Sequence, residues 1–187
     1  MDCAQRPMDI TLPAMERIRI EGIKLSNELV QMNPRNISIS KNTISHLFQI
    51  LAANEINMPF VSTTCIGGRM YMSCCVTAED KIQVKHLIDS EADLRENIKL
   101  GSAVGMISVF PHQSSLKLLG LSLYAFGKAR LPIYGLASSL SALTFITDYA
   151  RLDKAAASLE EYFQLPPNQR PFKPQIHVRQ SRIVKER

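Results

Sequence analysis

Residues 44–57, Ile44-Ser45-His46-Leu47-Phe48-Gln49-Ile50-Leu51-Ala52-Ala53-Asn54-Glu55-Ile56-Asn57, are the stretch on which the reading of the fold turns. Ile44, Leu47, Phe48 and Leu51 fall at i, i+3, i+4 and i+7, one apolar face of a helix. That helix must stop near Asn57-Met58-Pro59, because a proline disfavours the helical conformation of the residue before it. Met58 to Ile66 and Arg69 to Val76 then read as two strands joined by Gly67-Gly68, a dipeptide suited to a two-residue hairpin turn. Thr77-Ala78-Glu79-Asp80 has the S/T-x-x-D/E form of a capping box and opens a helix bearing Val84, Leu87 and Ile88.

The same order returns between residues 115 and 163. Leu116, Leu119, Leu123 and Phe126 form the expected face of a helix, and a second proline break follows at Arg130-Leu131-Pro132. Strands are expected near Pro132–Ala137 and Leu143–Tyr149, then a helix whose face is Leu152, Ala156, Leu159 and Phe163. Between the halves, Ser90 to Asn97 reads as a polar link. Ile98 to Phe110, interrupted at Gly101 and Gly105, is long enough to close one unit and begin the next.

Ahead of the first helix, Ile18 to Met32 has strand character, with Gly22 and Ser26-Asn27 as bulges or a turn, and Asn33 to Asn36 is turn chemistry. Each half therefore reads βαββαβ. The chain is expected to be α+β, two ferredoxin-like units with antiparallel sheets and helices on one face. The expected division is an N-terminal arm at 1–17, a first unit at 18–100 and a second at 101–187, where Gln175 to Val184 supplies a final edge strand within a basic tail.

The net charge of +5 is local. Residues 166–187 hold six basic side chains and one acidic one, whereas the rest of the chain is balanced to within one charge in each stretch. A phosphate-binding protein spreads its basic residues over a folded surface, so no nucleic-acid partner is expected. No run of about 18 uncharged apolar residues is present, so neither is a membrane span. The first residues lack a basic-then-apolar leader, which points to the cytoplasm, with Cys3, Cys65, Cys74 and Cys75 reduced.

Met70-Tyr71-Met72-Ser73-Cys74-Cys75 holds soft metal donors, but strand alternation sends the two cysteines to opposite faces, so core packing is the expected role. His46 and His86 have no ligand partner at i+4, and no metal site is expected. Neither a G-x-S-x-G elbow nor a G-x-x-x-x-G-K-S/T phosphate cradle occurs, so no catalytic residue and no cofactor are assigned. His112 stands out because it sits in a polar loop beside Gln113, Ser114 and Ser115.

With these elements in place, Ile44 to Asn57 resembles the first helix and following turn of ACT domains, and Phe60-Val61-Ser62-Thr63-Thr64 resembles their second strand. Ser138-Ser139-Leu140-Ser141-Ala142-Leu143-Thr144-Phe145-Ile146 is similar to a stretch of the aspartate kinase regulatory region. The resemblance covers roughly 22–184 and implies a regulatory module without a kinase domain, free-standing or a fragment of a longer enzyme. It further implies an amino acid effector (lysine- or threonine-like), a homodimer and a catalytic partner subunit.

By that resemblance the effector is contacted by the two strand-to-helix loops and the starts of the second strands. On this sequence those are Asn36, Ser40, Asn42 and Thr43, and Pro111, His112, Gln113, Ser114 and Ser115, together with Ser62, Thr63, Thr64, Ala137, Ser138 and Ser139. Neither loop carries the Gly-Met that such loops usually offer. This motivates the alternative, a structural or protein-interaction module that keeps the fold without a ligand.

Overall fold

The computed structural model describes residues 16–34, 37–38 and 42–174. Its elements run β1 (Ile18–Arg19), β2 (Gly22–Leu25), β3 (Leu29–Pro34), β4 (Ile37–Ser38), α1 (Thr43–Ala53), β5 (Phe60–Ile66), β6 (Arg69–Thr77), α2 (Lys81–Ser90), α3 (Ala92–Asn97) and β7 (Ile98–Phe110). They continue α4 (Leu116–Lys128), β8 (Gly135–Ser138), β9 (Leu143–Asp148), α5 (Leu152–Glu160) and β10 (Phe163–Gln164). The expected edge strand over 175–184, and with Asn36 and Ser40 part of one expected loop, lie outside the described residues.

Among the described residues, eight strands form one antiparallel sheet, and β7 is its spine. Along its first half β7 pairs with β3, whose other edge meets β6, which in turn meets β5. Along its second half β7 lies between β2 and β9, and β9 carries β8. The two runs of four strands are β7-β3-β6-β5 and β2-β7-β9-β8, with β7 common to both. The strand beside the second half of β7 is thus Gly22–Leu25, which pairs Gly22 with Phe110 and Leu25 with Ile107. A strand from the N-terminal side of the first half closes the second.

A single extra residue lets one strand serve both halves. Val30 faces Ala103 while Met32 faces Leu100, so β7 carries one more residue than β3 across that step. A one-residue slip reverses which side chains face the core. Before the bulge Ile98 and Leu100 turn toward α1–α3, and after it Ile107 and Val109 turn toward α4 and α5. Gly101 sits at this step, where a Cβ would meet the Asn33 amide at 2.9 Å and the Gln31 carbonyl at 3.3 Å.

Two cores follow from this pattern. Val30, Met32, Cys74 and Val76 pack beneath Ile44, Leu47 and Leu51 of α1, with Val84, Ile88 and Leu94 of α2 and α3. Ile23, Ile107, Val109, Leu143 and Phe145 pack beneath Leu118, Leu121, Ala125 and Phe126 of α4, with Leu152, Ala156 and Leu159 of α5. Phe126 stacks on Phe145 with ring centroids 4.8 Å apart.

A third, smaller cluster joins the halves on the other side of the sheet, where Leu29, Phe60 and Cys75 meet Val104 and Ile146. There the Gln31 amide donates to the Ser73 hydroxyl and to the Tyr134 carbonyl, and the Ser62 hydroxyl donates to the Leu136 carbonyl. Cys74 and Cys75 do face opposite sides. Burial pushes both thiols up from an ordinary 9.0 to about 12, so at neutral pH they are uncharged packing groups.

The hairpin at Gly67-Gly68 forms with both glycines at positive φ, 57° and 74°, as a two-residue turn of this hand requires. Other expectations need correction. The polar link is partly helix, α3, because Leu94 supplies an apolar anchor that is 1 % exposed. Of the expected face of α4, Phe126 is buried and Leu119 packs partly buried against the core, but Leu116 and Leu123 do not face it. Leu116 is 82 % exposed and Leu123 is exposed, while Leu118, Leu121, Ser122, Ala125 and Phe126 are buried. With leucine at 116, 118, 119, 121 and 123, periodicity alone does not single out one face. Phe163 is buried as expected, but from β10 rather than from the helix. The capping box closes differently, with the Thr77 hydroxyl donating to the Asp80 carboxylate and accepting from the Asp80 N–H.

Candidate functional site

The turn from β7 into α4 is short, and its backbone is unusual. The Phe110–Pro111 peptide is cis, and Gln113 and Ser114 both lie in the left-handed region, φ 51° and 54°. Two consecutive non-glycine residues in that region cost energy that the surroundings must offset, a situation commonest at ligand clamps and switches. Ser115 ends the turn as the cap of α4, its hydroxyl accepting from the Leu118 N–H at 3.2 Å.

The connection between β8 and β9 supplies the offset. The Gln113 N–H donates to the Leu140 carbonyl at 2.9 Å, and the His112 N–H donates to the Ser141 carbonyl. That connection is itself closed by the Ser139 N–H donating to the Ala142 carbonyl and by the Ala142 N–H donating to the Ser139 hydroxyl. The His112 ring, 4 % exposed, is set between the two segments. Its Nδ1 lies 3.0 Å from the Ser139 carbonyl oxygen and 3.2 Å from the Ser138 hydroxyl. Its Nε2 is buried and has no hydrogen-bond partner among the described residues.

A cleft of about 330 Å³ opens beside this ring, within the ~300–1,000 Å³ usual for small-molecule sites. Pro111, His112, Gln113, Ser115 and Leu118 form one wall, and Ile18, Arg19, Ile20 and Glu21 form the other. The second wall is held by the Glu21 N–H donating to the Phe110 carbonyl and by β1 pairing with β10. Sequence reasoning missed this wall entirely. Its signal was the charge alternation Arg17, Arg19, Glu21 among apolar residues, which reads equally well as an ordinary strand.

Of the residues assigned from sequence, the structure gathers Pro111, His112, Gln113 and Ser115 on the cleft, with Ser138 and Ser139 behind the imidazole and Ser114 exposed on the turn. It does not gather the described ones of the first half there. Asn42 is exposed and its side chain makes no cap bond. Thr43 is buried, and its hydroxyl donates to the Asp93 carboxylate of α3. Thr63 and Thr64 are exposed on β5, Ser62 is bonded to β8, and Ala137 packs against the third cluster. His46, expected on the helix surface, is exposed there, 3.9 Å from Glu91.

No family model matches the sequence, and no curated protein matches it. Solved structures do match. The chain is similar to the ligand-free regulatory subunit of aspartate kinase from Thermus thermophilus, with 16 % identity and a TM-score of 0.68 over 78 % of this chain and 99 % of that one. The regulatory subunit of aspartate kinase from Thermus flavus matches at 16 % identity and 0.67, over 76 % and 97 %. Aspartate kinase from Synechocystis matches at 13 % identity and 0.65, over 80 % of this chain and 28 % of that one. At such identities the likeness is one of fold, and the fold is that of the regulatory region of aspartate kinases. Among the described residues, no helix is long and apolar enough to cross a membrane.

Proposed function

We propose that the chain is a non-catalytic regulatory module of two ferredoxin-like, ACT-like units that binds a small amino acid effector. One unit is built from β3 to the first half of β7. The other runs from the second half of β7 to α5, with β2 as its outer strand. The observation that carries the reading is the cleft at His112, because a strained turn, a helix cap and a second turn converge on one pocket of small-molecule size. A lysine- or threonine-like effector, a homodimer, a separate catalytic subunit and a cytoplasmic location complete the reading, by likeness to the aspartate kinase regulatory region. Regulation would follow from unequal effector affinity for two packings of the turns.

The test is a thermal-shift screen of the whole chain with the twenty common amino acids and diaminopimelate. A ligand at 100 times its dissociation constant stabilises by about 2.7 kcal/mol, a readable rise for a protein this small. A selective rise that Gln113→Trp removes supports the effector reading. No rise with any of them favours a protein-interaction module, a reading with its own observation: Leu116 and Leu140, 82 % and 76 % exposed, flank the same turns.

A further inference from the structure

A neutral imidazole carries one proton and one lone pair, and its neighbours decide which nitrogen holds each. At His112 the two nitrogens have unequal surroundings. Nδ1 faces the Ser139 carbonyl oxygen, which can only accept, and the Ser138 hydroxyl, which can do either. The carbonyl therefore holds the ring proton on Nδ1. Nε2 is left as a bare acceptor, buried and unpartnered among the described residues, in a side chain that lines the cleft. A buried acceptor without a donor is costly, and nearly all such groups in folded proteins find a partner.

The rest of the cleft narrows what that partner is. Ile18, Ile20, Pro111 and Leu118 offer apolar surface. Arg19 and Glu21 place opposite charges two residues apart on one segment. We propose that His112 is the specificity-determining residue of this cleft, its Nε2 accepting a hydrogen bond from an N–H or O–H of the bound molecule. The cleft then selects amine- or hydroxyl-bearing ligands over analogues that place a methyl group or a carbonyl there. This inference rests on the cleft being an effector site.

Nε2 has no exposed surface, so engaging it requires the atoms that cover it to move. The His112 and Gln113 N–H groups, bonded to the Ser141 and Leu140 carbonyls, tie this wall of the cleft to the β8–β9 connection.

Two measurements test it. First, nitrogen-15 NMR of the ligand-free chain, with the His112 signals assigned by their loss in His112→Asn, is expected to show protonated Nδ1 and bare Nε2. A ring protonated on Nε2 overturns the inference whatever binds. Second, titration calorimetry compares the amino acid found in the thermal-shift screen with its analogue lacking the amino group or side-chain hydroxyl, on the unaltered protein and on His112→Asn. The asparagine amide can still donate to the Ser139 carbonyl but offers nothing at Nε2.

Loss of one well-made hydrogen bond predicts about tenfold or more weaker binding, both for one analogue on the unaltered protein and for the amino acid on the variant. Equal affinity in both comparisons sinks this inference and leaves the effector site standing. If no amino acid binds the unaltered protein, the effector site and the inference fall together.

Discussion

The two halves of the molecule arrange four strands in corresponding orders but use their polar residues differently. At the start of α1, Asn42 makes no side-chain cap, and the Thr43 hydroxyl is committed to Asp93 of α3. At the start of α4, Ser115 caps the helix, and His112, which lines a cleft, has an Nε2 without a partner among the described residues. Among the described residues, the first loop commits its Thr43 hydroxyl to packing helix to helix, whereas the second leaves His112 Nε2 without a partner. The same topology therefore ties a loop residue into helix packing in one place and sets a loop beside a cleft in the other. Which role a loop takes is decided by which of its polar atoms already have partners.

The largest effects should test whether the halves are separate at all. Phe126→Ala in the second half and Leu51→Ala in the first remove side chains that are 0 % and 1 % exposed. Losses of about 3–5 and 2–5 kcal/mol respectively are expected from urea denaturation. Because β7 and the third cluster belong to both halves, each variant should still unfold in one transition. Amide exchange showing one half open while the other stays protected would break the comparison by making the halves independent.

A smaller effect is expected where the halves meet. Gly101→Ala forces a methyl group toward the Asn33 amide and the Gln31 carbonyl, and should cost about 1–3 kcal/mol. A neutral result would mean that the bulge relaxes freely and does not set which residues face which core.

The smallest effect sharpens the contrast between the loops. Ser115→Ala should destabilise by about 1 kcal/mol, because the cap bond to Leu118 is lost. Asn42→Ala should lie within about 0.5 kcal/mol of the unaltered protein, because it has no cap bond to lose. Equal costs at the two positions would mean that the loops are not differentiated in this way.

Much of the fold was legible because its signals are local. The spacing of Ile44, Leu47 and Leu51 fixes α1, Gly67-Gly68 fixes the hairpin, and the length of Ile98 to Phe110 already suggested a strand shared by two units. The closing strand was not legible. Gly22–Leu25 looks like any other short strand, and nothing near it in sequence tells that its partner is Ile107–Phe110. The face of α4 was legible only at Leu119 and Phe126 for a different reason, since leucines at 116, 118, 119, 121 and 123 leave periodicity no single face to mark. The candidate site was half legible. The polar turn after β7 announced itself by composition, whereas its opposite wall is brought there by pairing with β10 and by the bond to Phe110.

The strand borrowed from the N-terminal side has a consequence for how such a chain comes into being. As the polypeptide emerges from the ribosome, Leu25 appears early and then waits for Ile107, while the chain between them can begin to fold. The first half can mature on its own schedule; the second cannot close until it reaches back past the first. The repeat visible in the sequence is therefore stitched rather than strung. A gene cut between the two halves would yield one piece with a spare strand and another with an open edge.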